Sequence, residues 1–118
     1  MTESFSETNV AGLELVAGTP KPTSLTGQSE SFTDLWVSPD SRVEMGVWEC
    51  TAGTFTATRI GYDEIAHIVS GTATVTDSHG VVTELRPGTV FVTPEGWVGK
   101  WVVHELMRKT YTIRHHSS

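Results

Sequence analysis

An all-β jelly-roll barrel is the fold class this sequence predicts, on three observations. From about residue 32 onward, short runs rich in Val, Ile, Thr and aromatic residues follow one another closely. Breaks of Gly, Pro, Asp and Ser separate them. No stretch long enough for a helix carries a helical period of apolar residues. Many short strands at close spacing imply a sandwich or barrel built from hairpins.

The strands are expected near 32–37, 43–50, 54–60, 64–70, 72–77, 81–86, 90–93, 98–104 and 108–114. The breaks between them have turn chemistry. Ser70-Gly71 suits a tight hairpin, because Gly enters the positive-φ region without a Cβ penalty. Asp77-Ser78-His79-Gly80 reads as a second hairpin loop. Arg86-Pro87-Gly88 fits a type II turn, in which Pro fixes φ and Gly follows it. Pro94-Glu95-Gly96 is a break of the same kind.

A length of 118 residues suits one domain with a compact core. Three regions are expected: an N-terminal arm over 1–30, a barrel over 31–114 and a polar tail over 115–118. The arm is rich in Ser, Thr, Gly and Pro, as in Thr19-Pro20-Lys21-Pro22-Thr23-Ser24, with one short strand expected near Leu13-Glu14-Leu15-Val16. A floppy tail and an arm laid over the barrel or over a neighbouring subunit fit its few apolar residues about equally.

The net charge of −6 repels phosphate backbones and anionic lipid, so neither nucleic acid nor a membrane surface is expected as a partner. One cysteine, Cys50, rules out an intrachain disulfide and a Cys-rich zinc site. Its apolar neighbours suggest a small core residue rather than a nucleophile. The start Met1-Thr2-Glu3-Ser4-Phe5 has neither a basic segment nor an apolar one, and a cytoplasmic location is the expectation.

Two spacings carry more. Glu64 is followed by six residues and then Gly71, and Gly88 by five residues, Pro94, one residue and Gly96. Both resemble the two motifs of the cupin superfamily, in the right order and about 20 residues apart. That resemblance implies the double-stranded β-helix, the cupin jelly-roll barrel. It also implies metal-ligand positions, and here the ligands are replaced. The first motif's histidines would fall at Thr58 and Ile60, or at Ala57 and Arg59. The second motif's His and Asn fall at Gly99 and Val103. Only the carboxylate, Glu64, stands at a usual ligand position. A narrower likeness runs through Gly46-Val47-Trp48-Glu49-Cys50, Tyr62-Asp63-Glu64, Trp101-Val102-Val103-His104-Glu105 and Arg108-Lys109-Thr110-Tyr111. It is similar to the small single-domain cupins related to ethanolamine-utilisation cupins and ureidoglycine aminohydrolase. The aminohydrolase's manganese site has no obvious equivalent here, so no metal cofactor is expected.

Strand parity sorts the residues, since side chains alternate between faces. With Glu64 inward, Ala66 and Ile68 are inward and His67 is outward. With position 99 inward, Trp101 and Val103 are inward and His104 is outward. His79 falls in a loop, and His115 and His116 in a tail expected to be solvated. A buried Glu64 must be paired or protonated. It is either a structural ion pair with Arg59 or Lys109, or a general acid/base whose pKa desolvation raises. The run Arg108-Lys109 is either an anion-binding pair or a solvated strand face.

The expected site therefore has Glu64, Lys109 and Tyr111 as candidate catalytic groups. Trp48, Arg59, Tyr62, Trp101 and Glu105 are its candidate ligand-binding groups. The leading function is a small-molecule-binding cupin, either a binder or a metal-independent enzyme. The relatives suggest a small polar nitrogenous or carboxylated metabolite as its ligand. The alternatives are a non-catalytic interaction module with a closed barrel and an atypical metal-dependent aminohydrolase-like enzyme. A homodimer is expected through the outward face of the 64–70 strand, where Ile65, His67 and Val69 want cover.

Overall fold

The computed structural model describes residues 2–116, so the part of the expected tail at 117–118 lies outside the described residues. Ten strands form: β1 Thr19–Pro20, β2 Ser29–Val37, β3 Val43–Cys50, β4 Gly53–Thr58, β5 Tyr62–Ser70, β6 Ala73–Asp77, β7 Val82–Leu85, β8 Val90–Thr93, β9 Val98–Val103 and β10 Met107–His115. No helix occurs among the described residues. A six-stranded sheet, β1-β2-β3-β10-β5-β8, faces a four-stranded sheet, β4-β9-β6-β7. Every pairing is antiparallel. This is the jelly-roll arrangement the hairpin pattern calls for.

Alternation builds the core. On β5 Glu64, Ala66 and Ile68 are buried while Ile65 and His67 are exposed. On β9 Trp101 and Val103 are buried and Lys100 is exposed. Trp48, Phe55, Ile68, Val75, Leu85, Trp101 and Met107 fill the space between the sheets. Trp101 is the largest fully buried side chain. It stacks on Phe55 at 5.5 Å and meets Trp48 and Phe91 edge-on at 6.4 and 5.9 Å. Offset and edge-on geometries satisfy the quadrupoles of the rings. The Ser70-Gly71 break behaves as expected: Gly71 has a φ of 82°, and a Cβ there would run into the backbone of Leu106 and Met107.

The arm departs from expectation. Residues 13–16 form no strand; the short strand is Thr19–Pro20, paired with Glu30 and Ser29. Pro20 is tolerated because this strand is at a sheet edge. Beyond it the arm crosses to the other sheet, where Leu25 N–H donates to the Thr54 carbonyl and Thr56 N–H to that of Thr23. The segment thus ties the β2 edge of one sheet to the β4 edge of the other. Further upstream the arm lies on the outer face of the large sheet. There the Arg108 guanidinium donates to the carbonyls of Val10 and Leu13 at 2.9 and 2.6 Å and to Glu49 at 3.0 Å. Arg108 is therefore an outward anchor for the arm, while its neighbour Lys109 points inward.

His116 is exposed, as expected of the tail, but His115 belongs to a strand. His115 ends β10 and pairs with Glu44 at 2.9 Å, and His116 pairs with Asp63 at 2.7 Å. The chain continues the sheet as far as His115, which brings both imidazoles beside carboxylates.

Candidate functional site

A cavity of about 470 Å³ opens between the sheets on the β2 side. Its walls come from the inward faces of four neighbouring strands, plus β4 and the arm. β2 supplies Glu30, Phe32 and Asp34; β3 supplies Glu44 and Trp48; β10 supplies Lys109, Tyr111 and Ile113; β5 supplies Tyr62 and Glu64. Phe55 comes from β4, Arg59 from the turn after it, and Lys21 from the arm.

The floor is an ion cluster. Glu64 Oε2 accepts from Arg59 Nη2 at 2.9 Å and from Lys109 Nζ at 3.1 Å. Both expected partners are present at once. All three residues are buried, at 8, 7 and 4% exposure for Arg59, Glu64 and Lys109. Lys109 is paired in register with Ile68, four residues from Glu64 on the same face of β5, and its long stem spans the difference. Its ammonium lies 4.4 and 4.7 Å from the ring centroids of Trp48 and Trp101. Aromatic faces replace part of the hydration that the cation loses. Arg59 is fixed by a second bond, from Nε to Thr93 Oγ1 at 2.9 Å.

Two cations share one carboxylate, and this sets the protonation states. Burial alone would raise the Glu64 carboxyl, but Lys109 and then Arg59 outweigh it and hold it below the usual range. Glu64 is thus an ionised anchor rather than the raised-pKa acid of the alternative expectation. Lys109 is drawn below its ordinary value, first by burial and also by the like charge of Arg59, against the pull of Glu64.

The upper wall is organised by a missing side chain. Tyr111 and Asp34 both face Gly46 across the sheet, and a Cβ at 46 would collide with the Tyr111 hydroxyl and the Thr33 carbonyl. Glycine lets the Tyr111 ring lie across β3 and donate to Asp34 Oδ1 at 2.6 Å. Burial, and then the bond to Asp34, push the Tyr111 hydroxyl far above its normal range, so it stays a donor and is no base. Beside it, Glu30 accepts from Lys21 Nζ at 2.9 Å and from Trp48 Nε1 at 2.8 Å. Lys21 lies 4.4 Å from the centroid of Phe55, so the arm closes one side of the cavity.

Of the eight side chains expected at the site, Trp48, Arg59, Tyr62, Glu64, Lys109 and Tyr111 line the cavity. Two do not. Trp101 is inward as parity requires, but the cavity lining leaves it out; it is packed against Phe55, Trp48 and Phe91. Its Nε1 is buried without a hydrogen-bond partner. Glu105 is exposed in the β9–β10 turn, where it accepts from Thr72. A turn residue follows no strand parity, which is why the sequence misplaced it. The sequence reading also missed Asp34, Glu30, Glu44 and Lys21. Glu44 shares the parity of Trp48 and could have been found by it. Cys50 is buried, and its thiol is pushed up to about 11, chiefly by burial, as suits a core residue.

Of the positions that the resemblance gives to metal ligands, only Glu64 carries a carboxylate, and it is bonded to Arg59 and Lys109; the others carry no His or carboxylate. Gly99 has the ring of Trp97 where its own side chain would go. Val103 is apolar core, Thr58 and Ile60 are exposed, and Arg59 is a cation. Among the described residues no three His, Cys, Asp or Glu side chains converge.

The family model for the EutQ-like cupin domain matches residues 37–111. Solved structures agree on the fold. The EutQ protein of Clostridium difficile superposes with a TM-score of 0.69 at 23% identity, over 84% of this chain and 78% of that one. A putative ethanolamine utilization protein Q from Salmonella typhimurium gives 0.64 at 23% identity, over 75 and 72% of the two chains. Ectoine synthase from P. lautus gives 0.66 at 14% identity, over 79 and 69%. No curated protein matches the chain.

Proposed function

The chain belongs to the EutQ-like cupin domain family, and from that premise we propose that it binds a small polar metabolite in the cavity between its sheets, without a resident transition metal. One observation carries this reading: the cavity is open and lined by charged side chains over a buried ion cluster. A volume of about 470 Å³ is in the range of small-molecule sites. A closed interaction module would fill this space with apolar side chains instead. The ligand class implied by the relatives, nitrogenous or carboxylated, suits walls that offer both cations and carboxylates.

Each residue has a part. Lys109 and Arg59 bind and orient an acceptor group of the ligand. Glu64 keeps the two cations in place and ionised. Trp48 and Tyr62 give flat apolar walls, and the arm residue Lys21 shields the cavity from water. Were the site to turn its ligand over, Lys109 would be the proton donor, since burial draws its ammonium below the ordinary value. A thermal-shift screen of polar metabolites, run with and without EDTA, tests the binding reading. The expected result is a compound that raises the melting temperature equally in both. A shift that requires a divalent metal, or no shift from any compound, overturns it.

The partner we propose is a second copy. Ile65, Val90 and Val92 form an exposed apolar patch on the outer faces of β5 and β8, with His67 among them. An unpaired patch of this kind on a sheet face favours association through a two-fold axis. Sedimentation at micromolar concentration should show a species of twice the chain mass, reduced to the monomer by Val92→Glu. A monomer alone for the unaltered chain contradicts the dimer.

A further inference from the structure

The cavity is charged in opposite senses at its two ends, and the ends differ in what they leave unpaired. At the floor, Lys109 and Arg59 share one carboxylate oxygen. Lys109 has three N–H donors and spends one of them on Glu64. Arg59 spends Nε on Thr93 and Nη2 on Glu64, leaving Nη1 free among the described residues. The floor is therefore one positive charge in excess, with unspent donors on residues that line the cavity. At the mouth, Asp34 and Glu44 are carboxylates with no Lys or Arg partner among the described residues. Asp34 receives the neutral Tyr111 hydroxyl, and Glu44 meets His115. Glu30, the remaining cavity carboxylate, is already matched by Lys21.

An apolar side chain lies between the ends. Glu44 and Glu64 are both register partners of Ile113, one on each side, so two strand spacings separate them, roughly 10 Å. Ile113 itself lies in that interval, and Trp48 and Phe32 line the cavity at the level of Lys109. A ligand with only a negative group would meet the mouth carboxylates unfavourably, and one with only a positive group would leave the floor donors unmet.

Resting on the ligand-binding reading above, we propose that the cavity takes a zwitterion with a short hydrocarbon spacer, its carboxylate on Lys109 and Arg59 and its ammonium between Asp34 and Glu44. The carboxylate completes the charge balance of the floor, and the spacer packs on Ile113 and the aromatic faces.

Isothermal titration with three probes of one length tests this: 6-aminohexanoate, hexanoate and hexylamine. The zwitterion should bind at least about tenfold more tightly than either half-molecule, since each end adds its own free energy. In the double variant Asp34→Asn, Glu44→Gln, whose sites are at the cavity mouth, 6-aminohexanoate should bind no better than hexanoate. If Asp34→Asn disturbs Tyr111, Glu44→Gln alone should still narrow the gap. The proposal is overturned if hexanoate or hexylamine matches 6-aminohexanoate, if the mouth variants leave the preference intact, or if none of the three binds. In that last case a stabilising compound of another class from the metabolite screen would leave the ligand-binding reading standing, whereas a screen with no stabilising compound would remove both.

Discussion

Glu64→Gln should lower the stability of the fold by about 3–5 kcal/mol, the cost of breaking a buried ion pair from one side. Gln matches Glu in shape but removes the only carboxylate between Arg59 and Lys109. Two buried cations then face each other with no anion, in a site where desolvation already weighs on Lys109. Chemical denaturation measures the loss. Adding Lys109→Met should recover part of it, because one of the stranded charges is then gone. The same residue fixes an acid limb in the stability profile. The folded carboxyl titrates below its unfolded value, which is about 4.3 for a glutamate. Its contribution is therefore complete above the unfolded pKa and is lost as pH falls through the folded one. The Gln variant should show a flatter decline below about pH 4 than the unaltered chain. A loss under about 1 kcal/mol would mean that the cluster is an ornament of the cavity rather than its frame.

Trp101→Ala should cost about 3–5 kcal/mol, the range for removing a large aromatic side chain from a packed core. Trp101 is in contact with three aromatic rings and forms one of the two faces that cradle the Lys109 ammonium. Its loss should weaken ligand binding as well, by loosening Trp48 and Lys109 from behind. Trp101→Phe should cost much less. It keeps a ring in place and removes an indole N–H that has no partner in the interior. Equal losses in the two variants would show that the indole's full size, not aromatic packing, holds the site.

The fold was legible because alternation and turn chemistry agree along the whole barrel. The breaks at Gly71, Gly88 and Gly96 are all positive-φ glycines, at turns the sequence marks. Parity from an inward Glu64 placed Ala66 and Ile68 inside, parity from position 99 placed Trp101 and Val103 inside, and a buried Glu64 demanded the cations that Arg59 and Lys109 provide. What parity could not reach was anything outside a regular strand. Glu105 sits in a turn, and Lys21 belongs to an arm whose path is set by bonds to β2 and β4 rather than by a pattern of its own. The acidic mouth was hidden differently. Asp34 precedes a register shift in β2, and its role depends on Gly46 clearing the way for Tyr111, a contact between residues 77 positions apart. The short strand misplaced to 13–16 followed apolar residues, whereas the true one follows the edge of β2.

The most direct test of the cavity as a ligand site is a crystal structure of the protein grown, in EDTA, with the strongest stabiliser from the metabolite screen. The expected result is ligand density between the sheets, with an acceptor group in hydrogen-bond reach of Lys109 Nζ and Arg59 Nη1. Density on the outer sheet faces, or a ligand that reaches the barrel only through a bound metal, would contradict it.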